Sequence, residues 1–491
     1  MSDNTETYDV IVIGGGPAGY ITAIRCAQLG LNTACIDEWT GKDGQHCLGG
    51  TYMSAGSIAS LALMQSADLY KILQQDIVRH GITVSGVELD VPAMVQRKDK
   101  IIHRLSTQIA ELFKANHIHC IYGHGQLLDG KRVAVIPIGD PDQARIISGE
   151  NIILAAGSSP FDITAATLDG DMIVESHAAM NFESVPKKLG IIGAGVIGLE
   201  HANLWARLGA KVTLFEAQET FLSFVDDEIA QEARRQFNSQ GLDIRLGARV
   251  TAAKRTPKHV SICYEDKEGE HRQVLDKLIV AVGRRPNTEG LFAPEVDLLL
   301  DERGFVHIDE QCMTNLPGVY AIGDLVPGPM LAHKGSEQGI YVAELIAGKE
   351  STLNYDTIPS VIYTDPEIAW VGVTEQALRA TGEEINIGVV PFSANNCAQA
   401  IDQTEGMVKI IANRHTDQVL GIHIIGHKAS ELIAEAVLAM EFSASTEDIA
   451  RTVHAFPTLS KSIHEAALAV DKRALHLPPS EDRGPTTEDR E

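Results

Sequence analysis

Four apolar residues in a row, Val10 to Ile13, lead into a cluster of glycines, after which the hydrophobic pattern changes period. An unbroken apolar run of this kind predicts a buried parallel strand, and the stretch behind the glycines predicts a helix. Gly14, Gly16 and Gly19 fall at the spacing G-x-G-x-x-G. In that pattern the first glycine permits a tight turn. The second lets the backbone approach a pyrophosphate, and the third lets the helix pack on its strand. The positive end of the helix then receives the phosphates. A second apolar run, Asn32 to Ile36, ends in Asp37, a carboxylate placed to accept a ribose hydroxyl. This order of elements predicts a dinucleotide site.

The unit occurs twice. Leu189 to Glu216 repeats it, with Gly193, Gly195 and Gly198 at the same spacing and Glu216 at the same distance beyond the first glycine. Two such units predict two dinucleotides. Ala217 and Gln218 follow Glu216 with no arginine to accept a 2'-phosphate, so the second unit is expected to take NAD.

Between and after the units the patterning is coarser. Leu48 to Tyr70 predicts a helix whose apolar face holds Ile58, Leu61, Ala62 and Leu63. Val91 to Phe113 predicts a long helix, Ile118 to Leu127 a strand with a turn at Gly123 to Gly125, and Asn151 to Pro160 a buried strand ending in a glycine turn. Apolar strands return from Lys277. After Tyr355 the chain reads as a different domain, with strands near Ile368 to Val371, Met407 to Ile411 and Val419 to Ile425 and helices after Glu375 and Ser430. Leu477 to Glu491, rich in Pro and charge, is expected to be a disordered tail.

Composition narrows the classes. At 491 residues, 44% hydrophobic and 22% charged, the chain is expected to form about three globular domains. A formal net charge of -25 argues against nucleic acid and against an anionic membrane surface. Met1 to Thr7 is polar and no apolar stretch is long enough to span a bilayer, so a cytoplasmic location is expected. The seven cysteines are scattered without metal-ligand spacing, so no metal site is expected.

Together these motifs, with Leu48 to Thr51, AVGRRPNT, AIGD, Leu331 to Gly339, Ile358 to Gly372 and PTLS near the C-terminus, resemble the dihydrolipoyl dehydrogenase family over Tyr8 to His476. The resemblance implies an α/β fold of two Rossmann-like domains, one for FAD and one for NAD, plus an α+β C-terminal dimerisation domain. The limits are 1–150 and 281–350 for the FAD domain, 151–280 for the NAD domain, 351–476 for dimerisation and 477–491 for an acidic tail. The residues implied for FAD are Gly14, Gly16, Gly19, Asp37, Gly50, Thr51, Gly125, Gly157, Gly323, Asp324, Leu331, Ala332 and His333. Those for NAD(H) are Gly193, Gly195, Gly198, Glu216 and Gly283, with Glu200 near the hydride path.

At the substrate side the sequence departs from this family. Its two redox cysteines correspond to Tyr52 and Ser57, and the lysine near the flavin to Leu61. Its His-Glu dyad corresponds to Phe456 and Lys461. Thiol exchange needs a thiolate and a base, and these positions offer neither. Three rescues are conceivable. Cys47 would be a displaced thiol without a partner, His454 a relocated base, and His464 with Glu465 a structural pair. The expectation is a homodimeric FAD-dependent NAD(H) oxidoreductase without disulfide chemistry. Its flavin exchanges electrons with a small organic molecule, a quinone or oxygen, aided by Tyr52, Ser57 and Lys461. The alternatives are a non-catalytic subunit of a 2-oxo acid dehydrogenase complex, or paired with an active homologue, and ordinary dihydrolipoyl dehydrogenase activity.

Overall fold

A computed structural model describes residues 6–478 apart from 43 and 130, so most of the expected tail lies outside the described residues. The chain forms two compact units, residues 1–217 with 247–353 and residues 218–246 with 354–491.

The first unit opens as the pattern predicts, with β1 (Thr7–Ile13), α1 (Pro17–Gln28) and β2 (Thr33–Asp37). β1 and β2 pair in parallel, Val10 opposite Thr33 and Ile13 opposite Ile36. Burial on both faces explains why these strands read as continuous apolar runs. Next come α2 (Gly50–Ser54), α3 (Ser57–Lys71) and α4 (Val91–Ala115). The single helix expected over Leu48 to Tyr70 is two helices, because the backbone breaks at Ala55 and Gly56. A Cβ on Gly56 would lie 2.9 Å from the Thr51 carbonyl oxygen. The break turns Leu61 outward, 47% exposed, while Ala62 and Leu63 stay buried.

The stretch Ile118 to Leu127, expected as a strand with a turn at Gly123 to Gly125, forms β3 (His119–Tyr122) and β4 (His124–Asp129), parted at Gly123. β5 (Arg132–Ile136) and β6 (Arg145–Leu154) complete a sheet of order β3-β2-β1-β6-β5-β4. A much later strand, Val319–Ala321, pairs in parallel with the end of β6. Its core holds Ile11, Ile36, Leu127, Ile152 and Val319. The strand expected over Asn151 to Pro160 stops at Leu154, and β7 (Ser158–Pro160) belongs to a separate two-stranded pairing.

The second glycine unit follows β8 (Ile173–Glu175) and α5 (Ser176–Ala179) as β9 (Lys188–Ile192), α6 (Val196–Arg207) and β10 (Lys211–Phe215). β9 pairs in parallel with β10 and with strand Lys277–Val280, which pairs in turn with β8. A three-stranded antiparallel sheet over Arg249–Arg255, Val260–Asp266 and Gly269–Leu275 shares a core with Phe215, Val250, Tyr264 and Leu278.

The second unit is built on a five-stranded antiparallel sheet of Ser360–Ile362, Glu367–Gly372, Val419–Gly426, Met407–Asn413 and Ile385–Pro391. Helices Ala429–Glu441 and Lys461–Val470 share its core, which includes Phe392, Ile410, Ile424 and Ile463. Among the described residues no helix is long and apolar enough to cross a membrane, and no cluster of side chains has the make-up of a metal site.

Candidate functional site

The glycines of the first unit separate into three roles. Gly14 has φ +113°, and a Cβ on it would stand 2.2 Å from the Ala155 carbonyl oxygen, so the turn passes directly over the neighbouring strand end. A Cβ on Gly19 would stand 1.8 Å from the Gly14 carbonyl oxygen, which brings α1 close to β1. Gly16 has no neighbour within 4 Å of its Cβ position. It is the N-cap of α1, with no side chain bonded there and Pro17 at the first helical positions. The open face therefore adjoins unsatisfied N-H groups and the positive end of a helix, which is where a pyrophosphate binds.

The second unit repeats these contacts. A Cβ on Gly193 would lie 2.3 Å from Ala281 O and one on Gly198 2.0 Å from Gly193 O, while Gly195 is open. The acids also match. Asp37 Oδ1 accepts from Gly15 N at 2.9 Å, and Glu216 Oε2 accepts from Ala194 N at 2.9 Å. Each acid is thus held beside its glycine loop. Open glycine, free helix end and oriented carboxylate fit a dinucleotide in both places.

Of the other expected cofactor residues, Gly50 and Gly323 pack against the first loop and its helix. Gly50 opens α2 with φ +59°, and its Cβ position lies 2.8 Å from Gly16 Cα, so α2 rests on the loop; Thr51 follows, half-buried. Gly157 has φ +72° and open space before it. Asp324 Oδ2 accepts from the Ser158 hydroxyl at 2.5 Å, and Arg284 Nε donates to the same Ser158 Oγ at 2.8 Å. Gly323 N donates to Gln338 Oε1 at 2.8 Å. Leu331, Ala332 and His333 begin the helix Ala332–Ile346. Gly125 is glycine for packing: its Cβ position is 3.0 Å from Ile13 Cγ2 and 3.3 Å from Ile36 Cδ1. Gly283, φ +120°, has only Phe161 near its Cβ position, at 3.5 Å.

Tyr52 lies on α2 and Ser57 opens α3, on either side of the break at Gly56. Tyr52 is half-buried, and burial pushes its phenol above its ordinary pKa. Tyr20 on α1 is shifted the same way, by burial and then by Tyr52. Glu200 is half-buried on α6. All seven cysteines are free thiols, and Cys47 stands in the loop before α2.

In the second unit, Phe456 is 59% exposed. His454 Nε2 donates to Glu435 Oε1 at 2.5 Å and Nδ1 to the Thr452 carbonyl at 2.8 Å. Two acceptors, led by the Glu435 carboxylate, raise its pKa against burial, and both ring nitrogens are engaged. Lys461 Nζ donates to His464 Nδ1 at 2.8 Å, and among the described residues no carboxylate pairs with that ammonium. Burial first, then Lys461, keeps His464 neutral. Glu465 accepts from Leu475 N, His476 N and His476 Nδ1, a structural role as expected.

Sequence reading missed Ser158, Arg284, Gly335, Gly339 and His46. A Cβ on Gly339 would meet Thr22 Oγ1 at 1.9 Å and one on Gly335 Ala18 Cβ at 3.0 Å, so α1 and the helix Ala332–Ile346 touch backbone to backbone. The spacing of Gly335 and Gly339, four apart, was the available signal. His46, in the loop before α2, lies 3.3 Å from Asp37 Oδ2 and carried no periodic signal.

Comparison with known proteins agrees with this geometry. The model of the pyridine nucleotide-disulphide oxidoreductase family matches residues 8–339, and that of the family's dimerisation domain matches residues 358–467. The chain is 44% identical over 476 residues to a dihydrolipoyl dehydrogenase of Cupriavidus necator, covering 96% of this chain and 100% of the relative. It is 41% identical to the mitochondrial dihydrolipoyl dehydrogenase 1 of Arabidopsis thaliana, covering 97% and 93%. Among solved structures, LpdA of Mycobacterium tuberculosis superposes with a TM-score of 0.85 at 25% identity, covering 94% of this chain and 99% of that one. With two glycine units of matching geometry and both family models in place, the chain belongs to the pyridine nucleotide-disulphide oxidoreductase family of FAD- and NAD(H)-dependent enzymes.

Proposed function

We propose that this protein exchanges hydride between NAD(H) and FAD and that electrons pass between FAD and a small organic molecule, a quinone or oxygen without a dithiol step. The observation that carries this reading is the pair of residues flanking Gly56. In the register of Leu48 to Thr51 and Gly56, Tyr52 and Ser57 correspond to the two redox cysteines of dihydrolipoyl dehydrogenases. A phenol and an alcohol form no disulfide. When bound, FAD supplies reversible hydride and electron transfer.

The residues of the chain orient and shield. Gly14, Gly16, Gly19, Asp37 and Asp324 hold the first cofactor, and Gly193, Gly195, Gly198 and Glu216 the second, with Glu200 near the hydride path. Burial keeps the Tyr52 phenol protonated, so it donates a hydrogen bond to an acceptor. Ser57 adds a second donor, and Lys461, bonded to His464 and among the described residues paired with no carboxylate, favours an acceptor that carries negative charge. His454 has both ring nitrogens engaged, by Glu435 and the Thr452 carbonyl, and is not poised as a relocated base. The reading includes a homodimer formed through 351–476, the FAD and NAD domain limits given above, and a cytoplasmic location.

A second reading, dihydrolipoyl dehydrogenase activity itself, is favoured by the names of relatives 40–44% identical to this chain. One experiment separates the two. Anaerobic titration of the yellow protein with NADH, followed in the visible flavin band, is expected to bleach it. Dihydrolipoamide with NAD is expected to give no turnover above a control without protein. Lipoamide turnover that survives Cys47→Ser would overturn the proposal in favour of the second reading. A band left unchanged by NADH would overturn both and turn the search to a non-catalytic subunit of a 2-oxo acid dehydrogenase complex or of an active homologue.

A further inference from the structure

The loop between β2 and α2 folds back on the acid that ends β2. His46 Nε2 lies 3.3 Å from Asp37 Oδ2. The imidazole is fixed from behind, its ring centroid 4.7 Å from that of Tyr122 on β3. Thr40 holds the loop to the same tyrosine, with Thr40 Oγ1 2.7 Å from the Tyr122 hydroxyl, and forms a bridge to His46 across the loop. On its other oxygen, Asp37 accepts from Gly15 N at 2.9 Å.

A carboxylate offers about four acceptor sites on two oxygens. Among the described residues Gly15 fills one site on Oδ1 and His46 one on Oδ2, which leaves a free site on each oxygen. Two vicinal hydroxyls present two donors at matching separation, and the ribose of a dinucleotide carries such a pair.

We propose that His46 is a positioning residue for the adenosine half of FAD: with Gly15 it fixes the Asp37 carboxylate in the orientation that receives the ribose diol, and so governs how long the cofactor stays bound. The inference rests on the first glycine unit being the FAD site and is independent of the electron acceptor. Orientation fixed in advance lowers the ordering cost of binding. The bond is also charge-assisted. Burial opposes the imidazolium, but Asp37 and Cys120 outweigh it and raise the pKa to about 9, so the ring is cationic at neutral pH.

The test measures FAD release from the holoprotein by the rise in flavin fluorescence after dilution. His46→Phe keeps a ring against Tyr122 and removes the donor. Release is expected to quicken about 10-fold, the factor for one hydrogen bond to a charged group. His46→Gln keeps a donor and is expected to stay within about 3-fold of the parent. In an Asp37→Asn background, His46→Phe is expected to lose most of its effect, because the two residues act as a unit. Unchanged release in His46→Phe, or equal quickening in His46→Gln, would overturn the proposal, the latter by making His46 a loop-packing residue only. Failure of the acceptor reading appears separately, in NADH bleaching of freshly loaded protein.

Discussion

Gly195 and Gly198 stand three positions apart at one helix entrance and are glycine for unlike reasons, which substitution separates. Gly195 faces open space, so Gly195→Val puts its side chain where the cofactor's phosphates lie. NADH affinity is expected to fall by more than about 10-fold, as for loss of a bond to a charged group, with FAD content and thermal stability unchanged. Titration calorimetry beside a thermal melt checks both halves. Gly198→Val meets Gly193 O at 2.0 Å from Cβ alone and is expected to lower the melting temperature instead. Both roles were legible because a pyrophosphate turn imposes them at fixed spacing. The His46 contact was not, because it depends on how an aperiodic loop folds back, and spacing along a chain carries no such information.

Among elements, the contact between α1 and the helix Ala332–Ile346 decides whether the first nucleotide site forms. Gly339→Val would drive its side chain into Thr22 Oγ1, 1.9 Å from the Cβ position, and into Ala18 O, 2.9 Å away. The expected cost is about 1–3 kcal/mol from overpacking, seen as lower denaturant midpoint with unchanged slope and as loss of bound FAD. Elements with one strong period were legible in outline: β1, α1, β2 and α4 differ from expectation by a few residues at their ends. The parting of β3 from β4 was legible as well, since the glycines at 123 and 125 mark a turn where the strands separate. The misread boundary is that between α2 and α3, which share one apolar pattern; the break at Gly56 is set by a close approach to Thr51 O that no periodicity reports.

At the scale of the whole molecule, the second unit collects residues from two distant stretches of chain, and a buried charge cluster joins them. Lys409, its side chain 2% exposed, lies 2.8 Å from Asp226 Oδ1, 2.6 Å from Glu375 Oε2 and 3.2 Å from Glu228 Oε2. His423, buried and kept neutral by burial, faces the same cluster. Burial pushes Asp226 and Glu375 up, but Lys409 and the other donors outweigh it and hold both carboxyls below their ordinary range. A depressed carboxyl stabilises the fold above its unfolded pKa, and that contribution is lost as pH falls through the folded value. Melting temperature is therefore expected to drop on acidification below about pH 4. Lys409 is raised, so its contribution is present below its unfolded value and fades at strongly alkaline pH. Lys409→Met leaves the buried Asp226 without its cation, while part-buried Glu375 keeps Arg379, and is expected to cost about 3–5 kcal/mol at neutral pH. Its melting temperature should then rise on mild acidification, as protonation relieves the unpaired charge. Melts from neutral to acid pH check the opposite slopes.

The strand Val319–Ala321 that pairs with β6, and the helix whose glycines lie on α1, both come from late in the chain. On the ribosome, the end of β6 therefore waits with an open flank while about 165 further residues are made, roughly 8–33 s at ordinary elongation rates. The contact between that helix and α1 is therefore expected to form late, and a nascent chain stalled before Val319 presents an unfinished sheet to whatever chaperones meet it.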